Sequence, residues 1–252
     1  PHLITSTAFG VLFPLLWLFA SVAIEQSIRK VAPARLTSFV RMFDRRVASE
    51  PCGLAILRGA LLGLALLGAD TFLVWVGTNR LGMWLDSGAH IGMQNEWLAS
   101  AWSIVWTAVV ALLQTLGFGF FLIPFLVYLA PRLVRHNWLA ALLAAALAAA
   151  SDLHVGMAAV QPAHWMVVLL FLGYLVLVWA FTRYDLLTLL AALFTFGFWW
   201  QNYRMLVMHE PTGALQEWIG FAVWGVVVLA AAAIALQSSL RAAQRRLAPV
   251  FE

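Results

Sequence analysis

The sequence is poor in charged residues, and this shortage narrows what the protein can be. Charged residues make up 10% of the 252 residues and hydrophobic residues 63%, with a mean hydropathy of +0.90. An ordinary soluble domain carries roughly 25% charged residues. A water-soluble fold of this length could not bury so much apolar surface, so we expect lipid to cover it.

The sequence also lacks cysteine pairs and recognisable catalytic motifs. Its single cysteine, Cys52, excludes an internal disulfide and a thiolate metal cluster. There is no phosphate-binding P-loop, no Gly-rich kinase loop and no paired-glutamate motif of the membrane CAAX-type proteases. Ser87 and His90 lie close together, but no GxSxG motif accompanies them, so hydrolysis is not favoured. No signal-peptide pattern is present, and because the chain begins at Pro1 we expect further sequence before it.

Nearly half of the positive charge lies in one segment, residues 29–58, between two apolar runs. It holds seven of the fifteen Lys and Arg residues: Arg29, Lys30, Arg35, Arg41, Arg45, Arg46 and Arg58. Short loops rich in these residues stay on the cytoplasmic side of a membrane, so we place this segment inside. The net charge of +4 comes from loop arginines and indicates anionic lipid, not nucleic acid, as the partner.

Seven apolar segments are predicted to cross the membrane. The fold class is therefore an all-α, polytopic transmembrane helical bundle, and residues 1–252 form one domain. The predicted spans are residues 3–24, 59–78, 97–130, 138–150, 164–182, 186–200 and 218–237. With the basic segment inside, the N-terminus lies outside, the C-terminus lies inside, and thirteen of the fifteen cations are on the inner side.

The third predicted span is long enough to fold back on itself at residues 117–119. Such a hairpin would put Arg132 and Arg135 outside, against the charge rule, so we favour one long span kinked near Gly119 and Pro124. Small side chains mark two other spans for close helix packing. They are the pair Gly59 and Gly63 in the second span and the Ala-rich fourth span.

Residues 33–48 predict an amphipathic helix at the inner interface. Pro33 suits a first helical turn, and Pro51 is predicted to stop the segment. Apolar residues recur at helical spacing at positions 36, 39, 40, 43 and 47. The other faces carry the candidate membrane-surface residues Arg35, Arg41, Arg45 and Arg46. The same pattern fits a helix packed on the cytoplasmic end of the bundle, and both interpretations stay open.

Polar residues at membrane depth are costly and are therefore functional candidates. The candidates are Asp70, Gln114, Asn202 and Arg204. Asp70 has a structural alternative, in which it bonds to Thr71 or to a partner helix. Asn202 and Arg204 either face inward or form a helix end that extends to the interface.

Histidines on the predicted outer side are candidate ligands for a pigment, haem or metal. They are His90, His154, His164 and His209. No HExxH motif and no i,i+4 histidine pair is present, and histidines at span ends are commonly interfacial caps. The thirteen Trp residues would suit packing beside a chlorophyll-type macrocycle, yet interfacial belts explain most of them. The sequence establishes no cofactor, and the candidates are a chlorophyll-type pigment, haem and lipids.

Several segments resemble the C-terminal integral-membrane region of bacterial receptor-like Ser/Thr protein kinases. They are residues 1–3, 24–30, 36–41, 50–59, 135–140, 183–187 and 193–195. The sequence departs from the family pattern at two places. Gln26 stands where the family has proline, and Glu50-Pro51-Cys52 stands where the family has an element that contains Asp-Pro. The catalytic domain of such kinases precedes the membrane part and is not in this chain. The resemblance implies a membrane module that anchors, senses or assembles.

Two function classes follow. The first is a non-catalytic module or subunit of a bacterial inner membrane that anchors, senses or scaffolds a partner assembly, with other membrane subunits as expected partners. The second is an accessory subunit of a bioenergetic complex, such as a photosynthetic reaction centre, that contacts pigments or haem. A transporter ranks third, because no inverted repeat relates the two halves.

Overall fold

A computed structural model of the chain describes residues 26, 28–29, 33–44, 48–85, 103–134, 136–153, 160–207 and 211–247. These ranges are helical apart from two short strands and the connections. A 3-10 turn over Pro33–Leu36 precedes the first helix. The helices are α1 (Thr37–Phe43), α2 (Glu50–Arg80), α3 (Ser103–Gln114), α4 (Ile123–Leu133), α5 (Asn137–Leu153), α6 (Ala163–Arg183), α7 (Leu186–Val207) and α8 (Pro211–Leu247). The strands are β1 (Trp84–Leu85) and β2 (Val160–Gln161).

Within the described residues, four helical segments are long and apolar enough to cross a membrane. They are Glu50–Arg80, Thr107–Leu133, His164–Arg183 and Trp218–Gln237. Asn137–Ser151 and Leu186–Trp200 are apolar but shorter. The chain is thus a helical membrane protein, as its composition predicts. The first predicted span, residues 3–24, lies outside the described residues, and the count of seven spans stays a prediction.

The long third span is one continuous helical rod. Helices α3 and α4 are joined by a π-helical segment, Thr115–Leu122, which contains the Gly117-Phe118-Gly119 run. Over residues 103–133 the structure therefore has the single helical segment and not the hairpin, while residues 97–102 of the predicted span lie outside the described residues. The π-helical stretch accommodates extra residues without ending the helix. The kink predicted near Gly119 and Pro124 stays a prediction.

Helices α2 and α7 run in the same direction and touch along the predicted glycine pair. A Cβ atom added at Gly59 would lie 2.5 Å from the carbonyl oxygen of Thr188, and one at Gly63 would lie 2.5 Å from that of Ala192. Only glycine leaves room for so close a backbone approach. Helix α2 also begins nine residues before its predicted span, with Pro51 in its first turn. Pro51 thus starts a helix, a position where its missing N–H is harmless.

The Ala-rich helix α5 packs inside the bundle, as its small side chains predict. Ala140, Ala144, Ala145, Ala148 and Ala149 are all buried. They belong to one apolar core with residues of α4, α6 and α7. Small side chains allow α5 to lie close to α6, which gains dispersion contacts that lipid would not provide.

Contacts at the two ends of the bundle show which helix ends lie on the same side of it. Strands β1 and β2 pair antiparallel, with Trp84 opposite Gln161, so the C-terminal end of α2 lies beside the N-terminal end of α6. At the other end, Arg35 reaches the last turn of α6. This arrangement has the alternation that successive membrane crossings require. Which end faces the cytoplasm stays a prediction from the arginine distribution.

Candidate functional site

The predicted amphipathic segment is a short helix attached to one end of the bundle. It comprises residues 33–43, which we call the interface helix. The described helix ends at Phe43, where the N–H of Asp44 donates to the carbonyl of Val40. The predicted extent to residue 48 stays a prediction. Arg45, Arg46 and Val47 lie outside the described residues.

The apolar face of the interface helix packs on the bundle core. Leu36 is 2% exposed, and Phe39 and Val40 are half-buried against the same core. The rings of Phe39 and Phe120 lie 5.5 Å apart and tilted. The pattern of apolar residues therefore marks a face that meets protein. Of the two interpretations of the sequence, a helix packed on the end of the bundle describes this apolar face. The polar face, with Thr37 and Arg41, is exposed.

Arg35 fixes the interface helix to α6. Its Nη1 donates to the carbonyl oxygens of Tyr184 at 2.7 Å and Phe181 at 3.3 Å. The last carbonyls of a helix have no partner within the helix, so a cation placed there satisfies them and interacts favourably with the helix dipole. Arg35 was predicted to bind the membrane surface; in the structure its guanidinium bonds to protein carbonyls.

A second contact holds the interface helix to the start of α2. The Sγ of Cys52 donates to the carbonyl oxygen of Ser38 at 3.2 Å, and both residues are buried. The single cysteine therefore has a structural place, in keeping with the behaviour of buried thiols.

The turn between α6 and α7 completes this end of the bundle. Asp185 accepts a hydrogen bond from the backbone N–H of Thr188 at 2.8 Å, which caps the first turn of α7. The guanidinium of Arg58 lies 5.5 Å from the centre of the Tyr184 ring, within range of a cation–π interaction. Arg35 and Arg58 thus both contact Tyr184 in this turn.

A cleft of about 340 Å³ opens beside the interface helix, between its apolar and polar faces. It is lined by Arg29, Pro33, Leu36, Thr37, Val40, Arg41 and Asp44. Arg29, Arg41 and Asp44 are exposed, whereas Leu36 is buried and forms an apolar floor. Of the predicted surface arginines, Arg41 lines this cleft and Arg35 does not. We call it the interface cleft.

The intramembrane candidates are separated among different helices. Asp70 is half-buried on α2, and no described residue donates a hydrogen bond to its carboxylate; the hydroxyl of Thr71 bonds instead to the carbonyl of Leu67. Gln114 is half-buried at the end of α3 and faces Gly197 of α7, whose added Cβ would lie 3.5 Å from its Oε1. Asn202 and Arg204 belong to the last turns of α7, and their side chains lie outside the described residues.

Among the candidate ligands, His164 is the one that falls within the described ranges. It is exposed at the start of α6, with its ring 5.3 Å from that of Trp165. His90, His154 and His209 lie outside the described residues. Among the residues that the structure covers, no group of three His, Cys, Asp or Glu side chains could hold a metal ion.

Two tryptophans pack within the bundle in addition to any interfacial belt. The Nε1 of Trp224 donates to the hydroxyl of Thr195 at 3.3 Å, and the Trp199 and Phe221 rings stack at 4.1 Å. Trp199 and Trp224 also meet edge to face at 5.4 Å. These rings join α7 to α8, so their role in the structure is packing.

Sequence reasoning missed three members of the interface cleft: Arg29, Thr37 and Asp44. Arg29 was counted only as loop charge. The spacing of Arg41 and Asp44, three positions apart on a helix, places both on one face and could have indicated a cleft of mixed charge. Thr37 has no comparable signal, because its part in the cleft depends on the turn at Pro33.

Comparison of the chain with protein-family models, curated proteins and solved structures finds no match. The fold itself defines the class: a multi-helix membrane protein with a short basic helix fixed to one end of the bundle.

Proposed function

We propose that the protein is a non-catalytic membrane module that anchors and scaffolds other membrane subunits, with its basic end at anionic lipid. The observation that carries the proposal is that two arginines of the interface helix have different surroundings. One arginine, Arg35, bonds to the bundle, while Arg41 stays exposed on the same helix. A helix fixed in this way presents its positive charge at a constant position relative to the membrane spans.

The electrostatics of a bilayer favour this role. Anionic headgroups attract Lys and Arg near the surface with about 1 kcal/mol per residue. Rigid attachment adds to this, because a helix already folded on the bundle loses little conformational freedom when it meets the lipid. The resemblance to receptor-like kinase membrane regions supports the same role, with a kinase domain preceding the chain as the partner that is held. A bacterial inner membrane is the compartment that this proposal implies.

The experiment compares lipid affinity after removal of three of the arginines that the sequence assigns to the membrane surface. The variant Arg41→Gln, Arg45→Gln, Arg46→Gln of the full chain, delipidated in detergent, is titrated with phosphatidylglycerol and followed by native mass spectrometry. We expect weaker binding, by about 1 kcal/mol per removed cation at low salt, and a smaller salt dependence. Arg132→Gln removes an exposed arginine from the end of α4 and serves as the control. Equal affinity of the triple variant and the control would refute the proposal.

A second candidate is an accessory subunit of a bioenergetic complex that contacts pigment or haem. The observation that favours it is His164, an exposed imidazole next to Trp165 at the start of a membrane span. An axial ligand needs only one such imidazole. The absorption spectrum of the protein purified from its own membrane separates the two: a bound chromophore supports this candidate, and a colourless preparation supports the anchor.

A further inference from the structure

The interface cleft contains charges of both signs, and this limits what it can bind. Arg29 and Arg41 bring two guanidinium groups to the cleft, and Asp44 brings a carboxylate. Guanidinium groups match phosphate in geometry and charge. A carboxylate beside them repels a ligand that is only anionic, so a simple phosphate would leave part of the cleft unsatisfied.

The carboxylate of Asp44 is not neutralised from its own helix. Arg41 and Asp44 are three positions apart, a spacing at which such residues often pair, yet they form no ion pair with each other in the structure. Both side chains are exposed. The cleft therefore offers a positive group and a negative group side by side.

Thr37 adds an acceptor to the cleft. Its hydroxyl donates to the carbonyl oxygen of Ala34 at 3.0 Å, so its hydrogen is already used and its oxygen keeps lone pairs that can accept. An ammonium group carries three donors and no acceptor. Asp44 and Thr37 thus provide acceptors for a cation, while Arg29 and Arg41 provide donors for a phosphate.

We propose that the interface cleft binds the headgroup of an aminophospholipid, with the phosphate on Arg29 and Arg41 and the primary ammonium on Asp44. Phosphatidylethanolamine has this chemistry. Val40, which is half-buried at the edge of the cleft, offers an apolar contact to the glycerol and the first carbons of the acyl chains. The inference rests on the proposed position of the interface helix at the lipid surface, and it adds a choice among headgroups.

The test compares phosphatidylethanolamine with phosphatidylcholine, which keeps the phosphate but has no N–H donor. The full chain, delipidated in detergent, is titrated with each lipid, and retained lipid is measured by native mass spectrometry. We expect about tenfold tighter binding of phosphatidylethanolamine, as the loss of one charge-assisted hydrogen bond implies. In Asp44→Asn the ratio should fall towards one, while affinity for phosphatidylglycerol stays equal or rises. Glu50→Gln removes an exposed acid outside the cleft and should keep the ratio.

Three outcomes would overturn the inference. One is equal affinity for the two lipids in the parent protein. Another is a ratio that Asp44→Asn leaves unchanged. The third is displacement of phosphatidylethanolamine by equimolar glycerophosphoethanolamine, which would make a soluble headgroup compound the ligand. Each leaves the arginine-dependent binding of phosphatidylglycerol untouched, so the choice of headgroup can fail while the anchoring function stands.

Discussion

Arg35 directs its guanidinium at the end of α6 and not at solvent. The two carbonyls that it meets belong to residues 181 and 184, nearly 150 positions away in the sequence. A hydrogen bond from a charged donor to an otherwise unpaired helix carbonyl contributes more than a neutral bond at the surface. Arg35 therefore helps to set where the polar face of the interface helix lies, together with the Cys52–Ser38 contact.

Replacement of Arg35 should loosen the interface helix. We expect Arg35→Gln to lower the free energy of unfolding by about 1–2 kcal/mol, because the carbonyls of Phe181 and Tyr184 lose a charged donor. Thermal unfolding in detergent measures the change, and hydrogen exchange of residues 33–43 should rise with it. Arg41→Gln, on the exposed face of the same helix, should change stability by less than about 0.5 kcal/mol. Equal effects of the two variants would contradict the assigned role.

Sequence patterns reveal the interface helix but not its partners. The alternation of arginines with Leu36, Phe39 and Val40 predicts a helix with one apolar face. Periodicity cannot tell whether that face meets lipid or protein, since both are apolar. Nor can it show that Arg35 and Arg41, two cations on one short helix, have different surroundings. That difference arises from a contact with α6, which only the assembled bundle contains.

The helices were predictable because a bilayer admits few alternatives. Backbone groups in lipid must be satisfied within the segment, so long apolar runs become helices. The ends were harder, because α2 extends past its apolar core to Glu50 and α8 continues to Leu247. Both extensions add polar turns that a hydropathy pattern does not mark.

The contact of α2 with α7 supplies a prediction with a control on the same helix. An added Cβ at Gly63 meets the backbone of Ala192 at 2.5 Å and the side chain of Thr195 at 2.8 Å, whereas one at Gly68 meets nothing within 4 Å. We expect Gly63→Ala to destabilise the fold by about 1–3 kcal/mol through overpacking. Gly68→Ala should be neutral or stabilise by up to about 1 kcal/mol, because alanine favours helix. Thermal unfolding of the two variants decides the matter; similar midpoints would mean that α2 and α7 are not in close contact.

At the scale of the whole molecule, two contacts far apart in sequence define the ends of the bundle. The pairing of Trp84 with Gln161 joins one set of connections, and the bond from Arg35 to Tyr184 joins the opposite set. The first set is poor in cations and the second is rich in them. The rule that places Lys and Arg inside therefore puts the cation-rich connections in the cytoplasm and the cation-poor connections outside.

That orientation can be read from the accessibility of single cysteines in intact cells. Thr37→Cys and Arg183→Cys probe the arginine-rich end, and Trp84→Cys and His164→Cys probe the other; all four positions are exposed, while Cys52 is buried. We expect a membrane-impermeant maleimide to label positions 84 and 164 in intact cells and positions 37 and 183 only after lysis. The fold requires the members of each pair to behave alike, whichever way the protein is inserted. Labelling of 37 and 183 alone from outside would keep the fold and reverse the orientation. Labelling of 37 together with 84 would contradict the fold itself, because the span α2 separates them.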